Sequence, residues 1–130
     1  MAIFDTLGIS GSGLMTHRKW LDAVSDNIAN VNTAKSTSGN AFQAEYLEVQ
    51  DQGGENGVAV AAVAHGSAEG RLVFEPDHPL ADANGYVRYP DIDLGEQMTQ
   101  LIMAQRGYQA NLAVVERAAT AYQAALQLGK

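Results

Sequence analysis

Few residues of this 130-residue chain have the types and spacing that chemistry requires. The run Gly8-Ile9-Ser10-Gly11-Ser12 approaches a nucleophile elbow, where a serine is held up on a sharp turn between a strand and a helix. Ser12 stands where that pattern needs its last glycine, and no strand precedes it. The same glycines lack the lysine and the spacing of a phosphate loop. His65, Asp77, His78 and Asp82 are types that bind divalent cations, but they are scattered through a loop region without close helical spacing. His17 falls on an apolar seam and reads as a buried or interface histidine. Trp20 reads as an interface anchor. With no cysteine there is neither a thiolate nor a disulfide. The sequence therefore assigns no catalytic residue, no metal ligand and no cofactor, and the chain reads as something other than an enzyme.

The elements that would position such residues are more telling. Near the N-terminus Ile3, Leu7, Ser10, Leu14, His17, Leu21, Val24, Ile28 and Val31 recur at alternating steps of four and three. Leu94, Met98, Leu101, Gln105, Tyr108, Leu112, Val115, Ala119, Tyr122 and Leu126 do the same near the C-terminus. A narrow seam of this kind on a long helix asks to be covered by another helix. The spacing predicts a first helix from about residue 3 to about residue 32. Gly8, Gly11 and Gly13 each cost it about 1 kcal/mol relative to alanine, so the segment is either a kink or a break into two helices, or a place of close helix approach in an assembly. Asn27, Asn30, Asn32 and Thr33 mark its end, because asparagine tolerates the left-handed backbone that stops helices. Asp93 followed by Glu96 has the acidic form of a capping box, with Asp91 as the alternative cap, and starts a second helix reaching about Leu128.

Between them the chain loses its helical rhythm. Val58–Val63 and Arg71–Phe74 read as strands that could form a hairpin together or part of a small sheet. Pro76 and Pro79 force an irregular segment. The fold class is mainly α: terminal helices in residues 1–33 and 91–130 packing as a coiled coil, with a small β-containing insert over 34–90.

Charge and length exclude several functions. The net charge is −7, with only eight Lys or Arg, against nucleic-acid binding. The longest apolar run, Val58 to Ala64, is far short of a membrane span, and no cleaved leader is expected. A seam side chain contributes up to about 1.5 to 3 kcal/mol on burial, and ordering each residue costs about 1 to 2 kcal/mol. Two such helices alone are near break-even, which predicts helices that become rigid only against neighbouring copies. A small secreted helical-hairpin adaptor or effector is a second reading of the same pattern, and an enzyme or metal-binding module using His78 and its acidic neighbours is a third.

Ser10-Gly11-Ser12-Gly13-Leu14, Leu21-Asp22 and Ser25 to Thr33 (Ser-Asp-Asn-Ile-Ala-Asn-Val-Asn-Thr) resemble the N-terminal signature of bacterial flagellar rod, hook and hook-associated proteins. Glu96-Gln97-Met98, Leu101-Ile102 and Ala104 to Asn111 (Ala-Gln-Arg-Gly-Tyr-Gln-Ala-Asn) resemble the matching C-terminal signature, and Pro76 to Asp91 is similar to the proximal-rod members. Asp91, where relatives commonly carry Asn, and residues 34–40 depart from the pattern. The resemblance implies a basal-body rod subunit whose terminal helices line a tubular core, with the insert outside. It implies partners among other copies, other rod proteins and the flagellar type III export apparatus, with no membrane insertion. It also implies that Leu101, Tyr108, Asn111 and Leu112 form intersubunit core contacts, while Asn27, Asn30, Asn32 and Thr33 cap and turn the first helix. The seam itself adds Leu7, Leu14, Leu21, Ile28, Val115, Tyr122 and Leu126 as expected subunit-packing residues, with packing of the helices within one copy as the alternative.

Overall fold

The computed structural model describes residues 2–129. Two helices enclose four short strands: α1 (Ala2–Ala29), β1 (Glu45–Asp51), β2 (Val58–His65), β3 (Arg71–Phe74), β4 (Tyr86–Tyr89) and α2 (Leu94–Leu128). At 1.5 Å per residue the 28 and 35 residues of the helices correspond to about 42 and 52 Å. The glycine-rich stretch does not break α1, which is one continuous helix through Gly8, Gly11 and Gly13.

α1 does not end on left-handed backbone. Among the described residues only glycines have positive φ. Instead the Asn30 amide donates to the Asp26 carbonyl at 2.9 Å, the Thr33 hydroxyl donates to Asn30 Oδ1 at 3.0 Å, and backbone bonds from Val31 to Ile28 and from Thr33 to Asn30 tighten the turn. α2 begins as its sequence dictates: Asp93 Oδ1 accepts the Glu96 N–H at 2.9 Å.

The strands form two separate two-stranded sheets, so 58–63 and 71–74 do not pair as a hairpin but each belongs to a different small sheet. β1, a strand the sequence pattern did not reveal, pairs with β2. β3 pairs antiparallel with β4 in the register Leu72 to Arg88 and Phe74 to Tyr86. The β1–β2 turn is closed by the Gln52 N–H on the Gly57 carbonyl at 2.8 Å. Gly57 has φ +75°, and a Cβ there would overlap the Ser12 hydroxyl and lie 3.2 Å from the Ile9 Cα, so only glycine fits.

The chain divides into two compact units. Unit 1 comprises Met1–Leu21, Leu47–Ala62 and Ile102–Lys130; unit 2 comprises Asp22–Tyr46 and Val63–Leu101. Their interiors differ. Unit 2 has a core of Ala23, Val24, Ala41, Ala44, Val87, Pro90 and Ile92, together with the buried polar residues Asn27 and Gln97. Unit 1 buries only small residues among those described: Ser10, Gly13, Thr16, Gly57 and Ala104.

Candidate assembly surface

Within unit 1 the two helices meet side by side. Phe4 packs edge-on to Tyr122 with ring centroids 5.7 Å apart, Gly13 faces Asn111, and Gly107 faces His17. Contacts that climb α1 therefore descend α2, and the pair is antiparallel. The middle of this contact is a reciprocal exchange of side chains for missing ones. The Asn111 amide fills the notch at Gly13, where a Cβ would lie 2.7 Å from Oδ1 and 2.9 Å from Cγ. The His17 ring fills the notch at Gly107 in the same manner. Each inserted group is tied back to its own helix: His17 Nδ1 to the Gly13 carbonyl at 2.8 Å, and Asn111 Nδ2 to the Gly107 carbonyl at 2.9 Å. A carbonyl only accepts, so the His17 Nδ1 carries a proton. The 3.5 Å approach of Asn111 Nδ2 to that nitrogen is then packing between two donors, too long to count as a hydrogen bond.

Which edge of the apolar stripe is covered follows from these notches. On α2 the side holding Gln97, Ala104, Asn111 and Ala118 is buried or half-buried, and so is the middle line Leu101, Tyr108 and Val115. The opposite edge, Met98, Gln105, Leu112, Ala119 and Leu126, is exposed, with Leu112 at 37% and Leu126 at 53%. Ile102 widens that edge, and Tyr122 is exposed despite its contact with Phe4. Every side chain from residue 119 to residue 129 is exposed. On α1 the predicted line is covered more evenly: Leu7, Leu14, Leu21 and Ile28 are all half-buried. Phe4, Ile9 and Met15 stand out beside it. Trp20 is half-buried and lines a small apolar crevice of about 160 Å³ with Thr16, Leu47 and Val49.

In unit 2 the equivalent contact is polar and closed. Asn27 is fully buried. Its Nδ2 donates to the Glu45 carbonyl at 2.9 Å and to Gln97 Oε1 at 3.0 Å, and its Oδ1 accepts the Glu45 N–H at 2.8 Å. The side-chain amide thus pairs with the backbone of Glu45 as another strand would, joining α1, the start of β1 and α2. It takes no part in ending α1, whereas Asn30 and Thr33 do; Asn32 is exposed beside them. Serine 12 has a similar role in unit 1, donating to the Ile9 carbonyl and accepting the Val58 N–H at 3.0 Å.

Of the four residues considered for metal chemistry, Asp82 and His78 hold local turns together. Asp82 accepts the N–H groups of Asn84 and Tyr86 and the Thr37 hydroxyl, and His78 Nδ1 accepts the Leu80 N–H. The Tyr86 amide chiefly lowers the Asp82 pKa; desolvation opposes it, and Asn84, Thr37 and Gly85 add to the lowering. Among the described residues no three His, Asp or Glu cluster as metal ligands. Two phenols are shifted upward: Tyr46 by burial and then by Glu96 and Asp91, and Tyr89 by its hydrogen bond to Glu75, with burial adding and Arg71 opposing. No helix among the described residues is long and apolar enough to cross a membrane.

The surface so described, two helix ends whose apolar stripe is only half covered, coincides with the regions shared with known proteins. Residues 7–34 match a family described as flagella basal body rod protein, and residues 83–128 match the C-terminal region of flagellar basal body rod FlgEFG proteins. Over its whole length the chain is 34% identical to the flagellar basal-body rod protein FlgC of Salmonella typhimurium and 35% identical to that of Yersinia enterocolitica, covering 100% of each. It is 28% identical to FlgC of Bacillus subtilis, again with both chains fully covered. The chain belongs to the flagellar basal-body rod protein family.

Proposed function

We propose that this chain is a structural subunit of the proximal rod, polymerising through its terminal helices so that the rod transmits torque from motor to hook. Its place is the basal body, its partners are other copies and other rod proteins, and it reaches them through the flagellar export apparatus. The single observation that carries this reading is the uncovered apolar edge of α2, Met98, Ile102, Leu112 and Leu126, lying within a region that matches rod proteins. Unit 1 supports it too, because a unit that buries only small side chains gains little from burial against the entropy of ordering its helices. In the polymer, neighbouring copies complete the seam as a coiled coil, with Leu7, Leu14, Leu21, Ile28, Leu101, Tyr108, Asn111, Leu112, Val115, Tyr122 and Leu126 packed within or between subunits. The division into core helices at 1–33 and 91–130 and an outer insert at 34–90 fits that arrangement.

The substitution Leu112→Asp tests it. Leu112 is already partly exposed, so a charge there costs the isolated copy little, whereas burial of an unpaired carboxylate between copies is strongly unfavourable. The variant is expected to be exported and absent from rods. Normal motility in cells carrying only this variant would overturn the proposal.

A further inference from the structure

The side-chain charges of unit 1 balance as a whole but not in its parts. It holds five Asp or Glu and five Lys or Arg. All five cations lie in its terminal segments, 1–21 and 102–130, against only two acids, Asp5 and Glu116, a surplus of three. The other three acids, Glu48, Asp51 and Glu55, lie in its share of the β1–β2 hairpin, 47–62, which has no Lys or Arg. The end of that hairpin is open to solvent, with every residue from 48 to 56 exposed. It is nonetheless held in one shape. Asp51 Oδ1 accepts the Gly53 N–H at 2.9 Å, and the Gly53 carbonyl accepts the Asn56 side-chain amide at 2.9 Å. An exposed segment ordered by its own hydrogen bonds loses little entropy when it binds.

The cations have a surface of their own. Arg106, Ala110, Ala113, Arg117, Ala121 and Ala124 follow one another at steps of four and three and so share one face of α2. Ala113, Arg117, Ala121 and Ala124 line an open groove of about 610 Å³ together with Glu116 and Thr120. The alanines let a neighbouring backbone come close, and the two arginines stand about three turns apart along the same face. Arg117 is five residues beyond Leu112 and therefore about 140° round the helix from it, so this face is distinct from the exposed apolar edge. Glu48, Glu55, Arg106 and Arg117 are exposed and, among the described residues, form no ion pair with one another.

We propose that the acidic hairpin of one copy docks on the Arg106–Arg117 face of α2 in a second copy, a contact that rests on the polymerisation reading above and gives it a direction. Charge selects this pairing among the ways two copies can meet. Hairpin against hairpin sets three acids against three, and α2 face against α2 face sets arginine against arginine; hairpin on helix is attractive. Charge also selects a copy as the occupant. Three acids on the hairpin meet a surplus of three cations in the terminal segments, so a row of copies is neutral without a second protein. Because the two patches differ, the contact is head-to-tail. Each addition leaves one hairpin and one α2 face free, so the contact propagates where a two-fold contact would stop at a dimer.

The test uses two forms of this cysteine-free chain, Glu55→Cys and Arg117→Cys, made together in the same cells. Both positions are exposed. Mild oxidation of isolated rods is expected to link a chain carrying E55C to a chain carrying R117C, and cells making either form alone are expected to yield no linked pair. Arg106→Glu with Arg117→Glu is expected to lower incorporation of the chain about ten-fold, and adding Glu48→Lys with Glu55→Lys to restore it to within about two-fold. That restoration separates a lost contact from a lost fold. Absence of the mixed link, a link between two E55C chains, or a link from E55C to a different polypeptide would overturn the proposal. So would incorporation indifferent to the arginine reversal, or not restored by the lysines. Rods that assemble without the mixed link leave the polymerisation reading standing, whereas Leu112→Asp bears on that reading and not on this face.

Discussion

The glycine notches make a prediction whose sign is opposite to that of helix propensity. Replacing a helical glycine by alanine favours the helix by about 1 kcal/mol. At Gly8 and Gly11 nothing lies within 4 Å of the added methyl, so Gly8→Ala and Gly11→Ala are expected to stabilise by about that amount. At Gly13 the methyl would sit 2.7, 2.9 and 3.0 Å from Oδ1, Cγ and Nδ2 of Asn111, against the roughly 3.5 Å of an ordinary contact. Asn111 has only two rotatable bonds, and its amide is anchored to the Gly107 carbonyl at 2.9 Å with the His17 ring beside it. Withdrawing the amide loses a hydrogen bond of about 1 kcal/mol, and overpacking adds about 1 to 3 kcal/mol. After the propensity gain, Gly13→Ala is expected to destabilise by about 1 to 3 kcal/mol. The assay is denaturant unfolding of the purified chain followed by helical circular dichroism, run on the four variants Gly8→Ala, Gly13→Ala, Asn111→Ala and the Gly13→Ala/Asn111→Ala double. The double variant is expected to be less destabilised than the two singles combined, by about 1 to 3 kcal/mol. If Gly13→Ala stabilised the chain as much as Gly8→Ala, or if the double showed no coupling, the close antiparallel approach of the helices would be refuted.

Two further outcomes follow from unit 2. Asn27→Ala would leave the Glu45 N–H and carbonyl and the Gln97 amide without their buried partner, and is expected to cost about 3 to 5 kcal/mol in the same unfolding measurement. Asp82 has a folded pKa lowered chiefly by the Tyr86 amide. Its contribution to stability is therefore present above the pKa of an unfolded aspartate and is lost as pH falls through the lower folded value. Asp82→Asn should remove this acid-side loss, so the wild type and variant converge in stability as pH falls below about 4, the ordinary aspartate value, measured by unfolding at a series of acid pH values.

The helices were legible because their information is periodic. Leu7, Leu14, Leu21 and Ile28 repeat every seven residues, and Asp93 announces the start of α2 through a cap that the structure makes at 2.9 Å. The precise edge of contact on α2 was not legible. Hydropathy follows the largest apolar side chains, Met98, Leu112 and Leu126, whereas the closest helix approach is made at the smallest residues, Gly13 and Gly107. A glycine at the middle of each helix, each opposite a polar side chain able to bond its own backbone, was the available signal for His17 and Asn111. Asn27 was hidden for another reason. Its neighbours Asn30 and Thr33 do end the helix, but its own partners Glu45 and Gln97 are 18 and 70 residues away, beyond any local pattern. The pairing of β1 with β2, and of β3 with β4, was missed because Glu45–Asp51 mixes three acids with its apolar residues.

The central claim is that the exposed edge of α2 is buried between copies in the assembled rod. Because the chain contains no cysteine, single thiols at Met98 or Leu126 can be labelled without interference. Maleimide labelling of Met98→Cys and Leu126→Cys in isolated rods, set against the same rods after dissociation, is expected to be slower by about ten-fold or more in the intact rod. Equal labelling rates in intact and dissociated rods at both positions would contradict the account.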